Sequence, residues 1–515
     1  MTNDVVIAGG GPTGLMLACE LRLSGIQTLV LEQLSKPTGF SKALGLQSRT
    51  MEMLDHRGLL ERFSAGTVAP PFVNFGMFPL DLRTLDFPHP HGLFIGQARV
   101  EELLEDHVNE VGTEIRRGHE VTDVSQDIDG VTVEVRGPSG GYEIRASYLI
   151  GCDGGHSIVR KRAGFSFPGM EPSLVGRMGD IRVAPAGLEL LKRAVPQLGG
   201  KDFGIVRTET GNFAIVPLGA GIHRVAAVEW DPAPIERDAP MSLDELRAAI
   251  RRVTGIDLPM SDPVWLSRPR DRSRLVDRYR NGRVLLAGDA AHIHWAYGGM
   301  GLQTGLQDAG NLGWKLAAEV QGWAPKGLLD TYHSERHPVG QRLLMSTRAQ
   351  EALARPGDHV TALRDLFTEL LEQENTRRHI VEMVTGVEIH YDMSPGQETR
   401  HPLIGRWAPD LQLITKNGRT RVAELMHRGR GVFLELTPLD NLHSIAAGWK
   451  ERIDLVIGQS DRPSLDVETL LIRPDGYVAW ATSPTDLDED SRISLRSALT
   501  TWFGESLSGG PQSIK

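Results

Sequence analysis

The chain has 515 residues, 40% of them hydrophobic and 24% charged, with a formal charge of −10 at pH 7. That length and apolar content support a large core divided among several domains, and the net negative charge argues against nucleic acid as a partner. Two cysteines, Cys19 and Cys152, exclude a disulfide framework and suit a reducing cytoplasm, where the absence of a signal-peptide pattern and of any long apolar run also places the chain, away from membranes.

In chain order, Asp4-Val5-Val6-Ile7-Ala8 reads as a buried parallel strand, followed at once by Gly9-Gly10-Gly11-Pro12-Thr13-Gly14 and a helical stretch reaching Leu23. Gly9 permits the tight turn, Gly11 lets backbone approach a pyrophosphate, and Gly14 allows close packing of helix on strand. Residues 28–31 form the next strand, and Glu32 lies eighteen residues beyond Gly14, where an acid that binds a ribose hydroxyl belongs. This unit binds the ADP end of a dinucleotide; by itself it leaves FAD and NAD equally open.

Farther on, Tyr148-Leu149-Ile150-Gly151-Cys152-Asp153-Gly154 is a strand emptying into a glycine turn. Residues 176–266 change character to antiparallel strands, including 211–218 and 223–230, with Phe203, Phe213 and Trp230 as aromatic candidates for a chamber wall. Gly282-Arg283-Val284-Leu285-Leu286-Ala287-Gly288-Asp289 returns to the first pattern, placing Asp289 past the carboxyl end of a strand, where open α/β sheets bind ligands. A boundary is expected at Ser394-Pro395-Gly396-Gln397, and the segment beyond it contains no cysteine.

Together the three glycine segments, with Lys42-Ala43-Leu44-Gly45, Gln97-Ala98-Arg99-Val100, the run from Gly305 to Leu316 and Tyr332-His333-Ser334-Glu335-Arg336-His337-Pro338, resemble the class A flavoprotein monooxygenases. The likeness is to the para-hydroxybenzoate hydroxylase-like family, and within it to the aromatic polyketide hydroxylase branch. It implies an α/β fold: a discontinuous Rossmann-like FAD-binding domain (1–175 and 267–390), an inserted antiparallel-sheet substrate domain (176–266) and a thioredoxin-like tail (395–515) without redox cysteines. Gly9, Gly11, Gly14, Glu32, Lys42, Gln97, Arg99, Asp153 and Asp289 are then expected to hold FAD. Asp153 and Asp289 are also compatible with capping helices, Arg99 with a surface ion pair and Gln97 with a turn. Lys42 stands where relatives usually carry arginine, which keeps the charge but loses the planar fork.

The resemblance further implies transient reduction by NAD(P)H, molecular oxygen as co-substrate, a flavin 4a-hydroperoxide, and a bulky aromatic or polyketide-type substrate. Self-association into a homodimer is left open, and no metal site is expected. The flavin-facing segment should be His292-Ile293-His294-Trp295-Ala296-Tyr297-Gly298-Gly299-Met300-Gly301-Leu302-Gln303-Thr304. Backbone amides from Gly298, Gly299, Met300, Gly301 and Leu302 suit a ring carbonyl, while His292, His294 and Tyr297 are candidate acid-base or hydrogen-bonding groups, or else packing for the flavin loop. Relatives usually have proline near Ala296, glutamine at Met300 and asparagine at Gln303. These departures keep a competing class in view, an FAD-containing non-redox polyketide cyclase of the Diels-Alder type in which the chamber acts by preorganisation, and behind it a catalytically silent FAD-binding partner protein.

Overall fold

The computed structural model describes residues 3–65, 71–84, 92–230, 240–295, 297–393, 401–437, 440–460, 466–483 and 489–506. The expected boundary at 394–397 and the departure at Ala296 lie outside the described residues. Val5, Val6 and Ile7 are buried on both faces, as a central parallel strand requires. Strand Asn3–Ala8 is flanked by Thr28–Glu32 and Gly140–Gly151, and the sheet runs Arg280–Asn281, Val284–Leu286, Gly140–Gly151, Asn3–Ala8, Thr28–Glu32, Glu114–Arg117. From Val284–Leu286 to Glu114–Arg117 every pairing is parallel, which makes the layer Rossmann-like. Strand Gly140–Gly151 also pairs antiparallel with Val131–Gly137. Helices Pro12–Leu23 and Gly301–Val320 pack on each other over this sheet.

A second, five-stranded antiparallel sheet has the order Gly204–Arg207, Gly211–Gly219, Ile222–Glu229, Gly176–Val183, Met260–Ser267. Its period-two alternation separates two faces. Phe213, Ile215, Val225, Ala227 and Ile181 are fully buried beneath Leu246, Ala249 and Ile250 of helix Leu243–Thr254. The other face meets the first sheet's loops: Asn212 Nδ2 donates to the Tyr297 hydroxyl at 2.8 Å, and Arg224 Nη1 donates to the Lys42 carbonyl at 3.0 Å. Phe213 therefore belongs to the core and not to a chamber wall, a correction to the aromatic candidates above. Phe203 is exposed, with Lys201 over its ring, and Trp230 lies under Arg355 at the end of the sheet.

Residues beyond 401 build a third, six-stranded mixed sheet in which Gly431–Glu435 and Ile453–Ser460 are parallel and the other pairings antiparallel. Ion pairs bind it to the first layer. Arg473 donates to both oxygens of Glu335, at 2.6 and 2.8 Å, and Arg57 joins Glu20 at 2.7 Å while donating to the Pro474 carbonyl. Among the described residues no helix is long and apolar enough to cross a membrane, and no cluster of metal-ligating side chains is present.

Candidate functional site

The glycine turn is shaped for an anion. Gly9 has φ +109°, and a Cβ there would lie 2.3 Å from the Cys152 carbonyl oxygen; one on Gly14 would lie 2.0 Å from the Gly9 oxygen. A Cβ on Gly11 meets nothing within 4 Å. Gly11 caps helix Pro12–Leu23 with no side-chain hydrogen bond, so the first-turn amides open into that space. Beside it the Glu32 carboxylate is held by two backbone amides, Gly10 at 2.7 Å and Leu34 at 2.8 Å, which leaves lone pairs on both oxygens for ribose hydroxyls. These features fit the ADP end of FAD.

The other candidate segments converge on the same cleft. Thr13 lies so close to Gly288 and Gly305 that a Cβ on either would meet its Oγ1, at 2.6 and 2.4 Å, so the Asp289 turn and the start of helix Gly301–Val320 border the glycine turn. Asp289 is exposed past strand Val284–Leu286 and has no hydrogen-bond or ion-pair partner among the described residues. Met300 caps helix Gly301–Val320 without a side-chain bond, so the amides of Gly301 and Leu302 have no intrahelical acceptor. Gly298 and Gly299 turn with φ of +76° and +63°, and Gln47 donates to the Gly298 carbonyl at 3.1 Å. That arrangement fits a flavin ring carbonyl.

The remaining candidates are placed differently from one another. Gln97 accepts from the Ala43 amide at 3.3 Å and so supports the loop carrying Lys42, whose own side chain is exposed. Arg99 makes an exposed ion pair with Glu102 at 2.7 Å. Asp153 Oδ2 accepts from the amides of Ile158 and Val159, capping a short helix, while its Oδ1 is buried without a partner. Burial raises its carboxyl above the ordinary range.

His292 stands apart from its expected role. It is fully buried, with Nε2 2.8 Å from Asp308 Oδ2, and Asp308 also accepts from Arg336 at 2.7 Å and from the Gly288 amide at 3.1 Å. Burial alone would raise the Asp308 carboxyl, but Arg336 and His292 hold it below its ordinary value. This network supports the Asp289 turn from behind, so the structure places His292 away from any chamber. His294 is half-buried, with Nδ1 2.7 Å from the Trp295 carbonyl and its ring against Gly301; burial lowers its pKa, which keeps it neutral. Of the three, Tyr297 alone bridges to the second sheet.

Sequence reasoning missed Asn212, Gln47 and the Asp308–Arg336 pair. It treated Gln303 as a departure near the ring, whereas its side chain donates to the Gly45 carbonyl at 2.7 Å and accepts from the Gln47 amide at 3.3 Å, tying that loop to the helix start. Met300 is buried beside Ser346. It also borders a cavity of about 620 Å³ between helices Gly301–Val320, Thr331–Ala354 and Glu374–Thr385, whose lining includes Glu335, Arg342, Glu388 and Asp392.

An FAD binding domain model matches residues 2–347, and a model for the C-terminal part of aromatic-ring hydroxylases matches residues 401–506. The chain is 45% identical to 12-dehydrotetracycline 5-monooxygenase/anhydrotetracycline 6-monooxygenase of Streptomyces rimosus, over 98% of this chain and 99% of that protein. Among solved structures, OxyS anhydrotetracycline hydroxylase from Streptomyces rimosus superposes with a TM-score of 0.88 at 44% identity, covering 98% of this chain and 100% of that one. The Diels-Alderase PyrE3 from the pyrroindomycin biosynthetic pathway follows at a TM-score of 0.84 and 37% identity, over 98% and 100% of the two chains.

Proposed function

Because the chain belongs to the FAD-binding aromatic-ring hydroxylase family, we propose that it hydroxylates a flat, polycyclic aromatic polyketide held between the flavin-facing loop and the second sheet. It is an FAD-dependent monooxygenase. Acceptance of hydride from NAD(P)H and activation of molecular oxygen are the chemistry that bound FAD supplies. Gly11, Glu32 and Asp289 hold the cofactor, and the amides of Gly301 and Leu302 orient its ring.

The observation that carries the substrate assignment is the second sheet's inner face. Met178, Ala214, Val216, Ala226 and Val228 are only partly covered there, while Phe213, Ile215, Val225 and Ala227 on the opposite face are fully buried. Register brings Ala214 beside Ala226 and Ala226 beside Met178, a low apolar floor that leaves room for a planar ring system. The charged lining of the cavity between the helices suits such a substrate poorly, which favours the sheet side. What supports the division into 1–175 with 267–390, 176–266 and 395–515 is that the middle sheet has a hydrophobic cluster of its own and that the tail has a second, which Trp314, Ala318 and Leu328 of the first part join. The parallel pair inside a mixed sheet favours a thioredoxin-like tail.

Anhydrotetracycline, named for the relatives, is the natural first probe. In its presence NADPH consumption by the holoenzyme should rise and oxygen-18 from labelled gas should enter the product. Conversion under nitrogen, with no gain of oxygen mass, would replace this reading with the non-redox cyclase.

A further inference from the structure

We propose that Asn212 and Tyr297 form a substrate-positioning pair that recognises a hydroxyl lying beside a carbonyl on the edge of the polycyclic substrate. The inference rests on the assignment of substrate to the inner face of the second sheet. Asn212 stands on that face, opposite Arg207 on one side and Val228 on the other, in the row that ends at Gly176. It is 5% exposed. Its Nδ2 donates to the Tyr297 hydroxyl at 2.8 Å, but its Oδ1 is buried with no hydrogen-bond partner.

A buried amide oxygen left unpaired is costly, and folded proteins seldom retain one without a purpose. The Tyr297 oxygen is already an acceptor for Asn212. Burial pushes this phenol up to about 12, so it keeps its hydrogen at any working pH. Among the described residues nothing accepts that hydrogen. The pair thus shows an incoming molecule one acceptor, Asn212 Oδ1, and one donor, the Tyr297 O–H. The Trp230 indole N–H, two residues past Val228, is also buried without a partner and adds a donor at this end of the sheet.

A simple apolar ring cannot satisfy both groups. A ring hydroxyl adjacent to a carbonyl can: the hydroxyl turns from its internal hydrogen bond to donate to Asn212, and the carbonyl it releases accepts from Tyr297. The rest of the molecule then lies across Ala214, Ala226 and Met178. In this arrangement the pair moves no proton; it fixes which edge of the substrate is held at the loop, and hence which carbon is presented to the flavin.

The test uses the oxidised holoenzyme and two probes, a hydroxyanthraquinone whose phenol sits beside a carbonyl and its methyl ether. Affinities are read from the change in flavin absorbance, which requires no turnover. The wild type should favour the phenol about tenfold or more. Asn212→Leu, with the same branched heavy-atom framework and no polar atom, should erase that preference while leaving affinity for the ether nearly unchanged. Tyr297→Phe should weaken both probes, because each keeps the carbonyl, and supplies the test should the first variant fold poorly. Flavin content and melting temperature identify a misfolded variant. Wild-type preference retained in Asn212→Leu, or an equal loss of both probes in that variant with normal flavin content, would overturn the assignment. If the preference behaves as expected but no labelled oxygen reaches any product, the pairing stands and the oxygenase reading fails.

Discussion

Replacing Gly11 with alanine separates cofactor binding from folding. Gly11 has φ −81° and ψ −178°, extended backbone open to any residue, and its Cβ would touch no protein atom within 4 Å. Alanine there loses less conformational entropy on folding than glycine does, so the apoprotein should keep its stability or gain about 0.4–1 kcal/mol. The new methyl instead occupies the space through which a pyrophosphate reaches the amides of helix Pro12–Leu23. Losing one charge-assisted hydrogen bond costs about 1.5–3 kcal/mol, which weakens FAD binding by about 10- to 150-fold. Titrating apoprotein with FAD by fluorescence quenching, beside thermal unfolding of the same apoprotein, measures both quantities. Unchanged FAD affinity would put the pyrophosphate elsewhere. A collapsed melting temperature would make Gly11 a folding residue like Gly9 and Gly14, whose added Cβ atoms would strike backbone oxygens at 2.3 and 2.0 Å.

Asp289→Ala should lower FAD retention about tenfold with little change in apoprotein stability, since the exposed carboxylate has no hydrogen-bond or ion-pair partner among the described residues; equal flavin content after gel filtration would remove Asp289 from the site. Glu335, buried but paired with Arg473 and Lys315, is held down to about 2 from an ordinary 4.5. Because its folded pKa is depressed, its contribution is complete above pH 4.5 and is lost as pH falls toward about 2, up to about 3 kcal/mol. Glu335→Gln should be destabilised by about 3–5 kcal/mol at pH 7 and show a flatter acid limb in urea titrations; parallel limbs would contradict the linkage. The chain should show no disulfide reductase activity, because burial raises both the Cys19 and Cys152 thiols and neither lies in the C-terminal sheet. Insulin reduction that depends on residues beyond 401 would refute this.

The cofactor cradle was legible in the sequence because its requirements are local. A glycine at φ +109° between strand and helix, a second that admits no Cβ and an acid at the end of the next strand are constraints within thirty-two residues. The family order of later segments extended that reading to Asp289 and to the turn at Gly298 and Gly299. What it left undecided depends on contacts between distant elements. Asn212 and Phe213 are sequence neighbours, and period two places them on opposite faces, but only docking of helix Leu243–Thr254 decided that Phe213 faces the core and Asn212 the flavin loop. His292 and His294 look alike in a motif; burial against Asp308 and Arg336 made the first a support, because a fully buried imidazole beside a carboxylate cannot also face a substrate. Gln303 reads as a departure beside the ring until the fold brings Gly45 and Gln47 to it across more than 250 residues. Backbone geometry is encoded residue by residue, whereas the choice of which side chain faces which cavity is settled when separate layers pack together.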